Sequence, residues 1–215
     1  MYGVINVSVV TWNVFYTLSA PDMQMKQRTR ELWRKVSHIL IGTGCLIGAY
    51  VIIQRYGTEQ LNVVLGSVLA LLLITDILIA DYGWNIPLYH QLQREHEEQG
   101  LHTATLGFLG SVIAYNLFVL PVAIAAIGML IYGDAAAAIT GLCTRAGRRK
   151  KHVHRVIAML VVSVAIGWLV FGWIGAVMGV VATLAECLVT KVDDALTIPL
   201  LAGIAGQLLW IFYGL

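Results

Sequence analysis

The chain has 215 residues, of which 59% are hydrophobic and only 12% charged. A soluble domain usually carries roughly 25% charged residues, so this composition leaves too little polar surface for a protein dissolved in water and points to lipid as the solvent. The length suits one compact bundle, and the formal net charge of +2 says less than where the charges lie.

A spanning helix needs about 20 mostly apolar residues. Taken in chain order, the runs at 2–20, 36–54, 60–81, 102–120, 122–142, 154–171, 173–190 and 196–214 meet that requirement. The first is the weakest, because Asn6, Thr11, Asn13 and Thr17 dilute it. It is expected to be a retained helix, since it lacks the basic start and small-residue cleavage site of a signal peptide. The runs are far longer than strands, and backbone groups in lipid must pair internally. The sequence therefore predicts an all-α, polytopic transmembrane helical bundle of 7–8 spans, forming a single integral-membrane domain over 1–215. Cys45, Cys143 and Cys187 have no CxxC spacing and are expected to be small buried side chains rather than a zinc site or disulfide framework.

Basic residues mark the cytoplasmic side of a membrane protein. Alternating spans would put thirteen of the fourteen Lys and Arg residues on one side, in 22–35, 82–101, 143–155 and 191–195, with Arg55 alone opposite. Most acids follow them. The expectation is an integral protein of the cell membrane or endoplasmic reticulum membrane, with its polar chemistry facing the cytoplasm.

Several constellations carry that chemistry. In ELWRKVSHILIGTG (31–44), Arg34, Lys35 and His38 stand at a helix start, suited to a phosphate or lipid head group. A positive-inside anchor explains the two cations but not His38, one turn deeper. In GDAAAAITG (133–141), Asp134 lies at membrane depth, where an unpaired acid costs about 2.5–3.5 kcal/mol. Such an acid is paired, metal-bound or at a cavity. The loop RAGRRKKHVHR (145–155) offers cations for a triphosphate, or simply an attraction to anionic lipid. In AECLVTKVDDALTIPL (185–200), Glu186 lies inside a span and Asp193–Asp194 follow in a loop. With Asp134 these oxygens suit magnesium. Asp76 and Asp81, which end one span, and REHEE (94–98) form a weaker set, with most of REHEE read as solvated surface.

Four of these patches, in this order, resemble the CTP-dependent lipid-alcohol kinases: dolichol kinase, phytol kinase and the yeast-type diacylglycerol kinase. RKVSHILIG resembles that family's basic-basic-x-x-His-x-x-x-Gly start. REHEE with Thr103 and Thr105 resembles its loop before the middle spans. GDAAAAITG resembles its Gly-Asp-x-x-Ala-x-x-x-Gly motif, and AECLVTKVDDALTIPL its Glu followed by Asp-Asp-x-x-x-x-Pro. The likeness covers about 31–205. Two departures stand out: KKHVHR replaces the family's Lys-Thr-x-Glu-Gly block, and Ala195 stands where Asn is usual.

The resemblance implies transfer of the γ-phosphoryl of CTP to a long-chain isoprenoid alcohol. Asp134, Asp193 and Asp194 would hold Mg2+. Arg34, Lys35, Arg148, Lys150 and Lys151 would hold the phosphates. Asp134, His38, Glu186 and Asp193 would form the catalytic set, with the base left open among His38, Glu186 and the Asp pair. The expected partners are a membrane lipid and a nucleotide, with no nucleic acid and with room for a homo-oligomer. Two rival activities use similar groups: a membrane cytidylyltransferase acting on a lipid phosphate, and an ion-coupled transporter.

Overall fold

The computed structural model describes residues 7–82, 102–144, 148–188 and 193–213, with side chains over 28–81, 102–144, 152–188 and 193–213. Its elements are α1 (Val7–Tyr56), α2 (Thr58–Tyr82), α3 (Thr103–Leu117), α4 (Leu120–Gly128), a π turn (Met129–Gly133), α5 (Asp134–Cys143), α6 (Arg148–Leu188) and α7 (Asp194–Tyr213). No strand occurs among the described residues. Five stretches are long and apolar enough to cross a bilayer: Arg28–Tyr56, Thr58–Asp81, Leu120–Cys143, His152–Leu188 and Asp194–Tyr213. This is the architecture of a helical membrane protein.

One expectation fails at the start of the chain. Residues 22–35 are not a loop; α1 is a single helix of 50 residues. At 1.5 Å per residue it would be about 75 Å long, so its early part cannot turn back beside residues 36–54 as a separate antiparallel span. The Lys, Arg, Gln and Glu of this segment are good helix formers and give the helix no reason to stop.

A second long helix is folded on itself. In α6, Phe171 (φ −139°, ψ 24°) and Gly172 (φ +59°, ψ −140°) leave the helical region. The backbones of Gly167 and Gly175 then touch, and a Cβ on Gly179 would lie 2.6 Å from the Ser163 carbonyl carbon. Eight residues of unbroken helix would separate Gly167 from Gly175 by about 12 Å, so the chain has reversed. Only glycines let two backbones approach this closely. The runs 154–171 and 173–190 are thus two antiparallel arms, with the break where the sequence placed it.

The centre of the bundle is α4, the π turn and α5. Val122, Ala125, Ala126, Met129 and Ala137 are fully buried, packed with Met159, Ile174, Met178, Ala182, Ile198 and Ala202. Small residues allow this closeness where no hydrophobic effect drives helices together in lipid. In α7, Pro199 has no N–H to offer the Ala195 carbonyl one turn earlier. Gly110 of α3 approaches that carbonyl, where a Cβ would sit at 3.0 Å. By contrast, the most apolar window of α1 has none of its residues buried and that of α2 has 6%. Their outward Leu, Ile and Val side chains face lipid, as do Leu169 and Phe212 at more than four-fifths exposure. The cysteines are free, but Cys45 and Cys143 are exposed rather than buried.

Candidate functional site

Lys35, His38 and Gly42 follow i, i+3, i+7 spacing and so share one face of α1. That face meets the π turn and the first residue of α5. Lys35 forms an ion pair with Asp134, and Lys35 is only 4% exposed. The Leu130 backbone lies close enough to the His38 ring to act on it. A Cβ on Gly42 would lie 2.8 Å from Ile131 Cδ1, which explains why a glycine stands there. Thr43 Oγ1 lies 2.8 Å from the Tyr132 hydroxyl. Residues 130–134 are therefore held to α1 at every step. A π turn loosens the regular backbone ladder and recurs at functional sites; here it presents Leu130 and Asp134 to the same helix face.

The Nε2 of His38 is buried and has no hydrogen-bond partner among the described residues. Arg34, next to Lys35, donates to Glu31 at 2.9 Å. Both cations of the motif are thus neutralised within the protein.

This polar cluster closes one end of a cavity of about 650 Å³. Arg34, Lys35, His38, Asp134, Asp194, His102 and Thr103 line the polar end, and apolar side chains of α1, α2, α3 and α4 line the rest, as far as Ile53, Gln54, Leu61 and Leu120.

The other expected site residues separate from it. Glu186 receives a hydrogen bond from Arg155 Nη2 at 3.3 Å, and it does not border the cavity. Arg155 lies in the space left by Gly141, whose Cβ would meet Arg155 Cδ at 2.8 Å. Asp134 is still near enough for its charge to act on Glu186 and Asp194. Asp193 caps α7: its Oδ1 accepts from the Ala195 amide at 2.9 Å. Its Oδ2 accepts from the Thr103 hydroxyl at 3.4 Å. That capping role was not anticipated, although Asp before a helix is a strong start signal. Asp194, by contrast, does border the cavity. Arg148, Lys150 and Lys151 begin α6, but their side chains lie outside the described residues, as do 94–98 and Lys191.

Among the described residues, no three His, Cys, Asp or Glu side chains gather as a metal-binding group. Magnesium asks for less, since one or two carboxylates suffice when water and substrate phosphates complete the shell. Asp134 and Asp194 are the two carboxylates at the cavity that fit this pattern. His102 is a lining residue that sequence reasoning missed. It is 6% exposed, and its amide donates to Asp76 at 3.2 Å, which ties α2 to the start of α3. No spacing in the sequence announces that contact. Comparison of the chain with protein-family models, with curated proteins and with solved structures finds no match.

Proposed function

We propose that this protein is a membrane lipid kinase that transfers the γ-phosphoryl of CTP to the hydroxyl of a long-chain isoprenoid alcohol at the cytoplasmic face. The observation that carries this reading is the unpartnered Nε2 of His38 at the polar end of a long apolar cavity. A lipid tail suits the apolar walls, and a hydroxyl at the polar end would meet an imidazole nitrogen with no partner among the described residues, the group proposed to take its proton. Among the candidate bases, His38 is favoured over Glu186, which is paired to Arg155, and over Asp193, which is a helix cap.

In the proposed reaction the alcohol oxygen forms a bond to the γ-phosphorus, the bond to the β-bridging oxygen breaks, CDP leaves, and the alcohol proton passes to His38. Positioning and charge neutralisation dominate such transfers. Magnesium, when bound, would offset the charge of the phosphates. Asp134 and Asp194 would hold it, and Lys35 would exchange part of its contact with Asp134 for a phosphate. Donor specificity for CTP rests on the motif resemblance. In this reading the chain crosses the membrane seven times, counting the folded α6 twice and including the shorter α3.

The test is incubation of purified protein with CTP, magnesium and a panel of lipid alcohols. Lipid phosphate with CDP is the expected outcome. Release of pyrophosphate would make it a nucleotidyltransferase, and no turnover with any alcohol or nucleotide would overturn the reading.

A further inference from the structure

We infer that the cavity holds a lipid chain lying lengthwise across the membrane, its uncharged head beside His38 and its tail reaching past the bilayer midplane to Gln54. This deepens the proposed lipid-alcohol activity and rests on it for the head group, but occupancy can be read without turnover.

Depth comes first. On α1 the lining runs from Arg34 to Gln54, which at 1.5 Å per residue is about 30 Å. The hydrocarbon core of a bilayer is also about 30 Å thick. On α3 the lining runs from His102 to Tyr115, or about 20 Å. A tail confined to one leaflet would leave the far half of this space empty.

The volume is sufficient: the cavity of about 650 Å³ admits at least one apolar chain along this length. The occupant arrives from lipid, so burial gives no hydrophobic gain, and selection must come from packing.

The head is constrained by charge. Arg34 is paired with Glu31 and Lys35 with Asp134, while Asp194 adds a carboxylate at the cavity. No surplus positive charge remains at the described side chains there to recruit an anionic head. A hydroxyl beside His38 would meet Nε2, a buried polar atom of this cluster that lacks a partner among the described residues.

Thiol labelling measures the depth. Cys45 lines the cavity about 16 Å along α1 from Arg34, near mid-membrane. Gln54→Cys, at an exposed position, probes the far end. Cys143, exposed and not part of the lining, is the internal control. The full chain in vesicles is treated with a membrane-permeant maleimide, and each site is read by mass spectrometry.

A polyprenol long enough to cross the core should slow labelling of Cys45 and Gln54→Cys about tenfold when present at about ten times its dissociation constant, leaving Cys143 unchanged. An alcohol ending in the first leaflet should protect Cys45 alone. Protection of both sites by the short alcohol would overturn the lengthwise placement. No protection by any lipid would remove the cavity as a lipid site. Protection without phosphoryl transfer would leave this inference standing and sink the kinase activity.

Discussion

Cutting the Lys35–Asp134 pair from either side should reveal how α1 is held to the bundle. Lys35 is 4% exposed and the Asp134 side chain 13%, so neither charge is well solvated. Removing one partner of a buried pair costs about 3–5 kcal/mol, because the other is left uncompensated. The two sides should differ. Lys35→Met strands a short carboxylate on α5 and should cost about 3 kcal/mol. Asp134→Asn strands a lysine whose four-carbon stem can reach toward the membrane surface, so its cost should fall to about 1–2 kcal/mol. The double variant removes both charges and should be no worse than the milder single one, a coupling of about 3 kcal/mol or more. Reversible unfolding in mixed detergent micelles supplies the four stabilities. Additivity within about 0.5 kcal/mol would show that the pair is not made in the folded protein. The same double variant, folded but without catalytic turnover, would separate the structural role of the pair from its chemical one.

The same geometry sets three further outcomes. His38→Gln should lower kcat by about 100-fold or more, the usual worth of a positioned base, with little change in the KM for the lipid; an unchanged kcat would exclude His38 as the proton acceptor. Glu186→Gln weakens the Arg155 contact outside the cavity, so it should lower stability by about 1 kcal/mol while turnover per folded molecule stays near wild type; a 100-fold loss of kcat would return Glu186 to the catalytic set. Gly172→Ala forces a side chain into a conformation reserved for glycine and should cost about 1–3 kcal/mol, seen as a lower unfolding midpoint; a neutral effect would argue against the tight reversal of α6.

The helices were legible because lipid leaves the backbone no other partner, so long apolar runs and helices coincide. The turn at 171–172 was legible for the same reason: two runs of spanning length need a reversal between them. Residues 22–35 were misread because a cluster of charges resembles a loop, whereas the same residues propagate a helix well. Asp134 was legible as an acid that needed a partner. Its partner was not, because Lys35 lies 99 positions away and no periodicity connects the two. The Asp193–Asp194 doublet was read for charge, but the backbone claimed Asp193 as a cap and left Asp194 to the cavity. His102 carried no signal at all, since its place depends on how α2 and α3 meet.

The π turn has a consequence for which changes this chain could survive. A π turn holds one residue more than the α-helix it interrupts. Deleting a single residue within 129–133 would let the helix close into a regular and locally more comfortable ladder. It would also bring Asp134 one residue nearer to Leu130 along the helix and so change their relative bearing around its axis. Leu130 and Asp134 could then no longer meet the same face of α1. Such a deletion would be expected to yield a smoother central helix that has lost the junction between His38 and Asp134, so at these five residues helical regularity and the site pull in opposite directions.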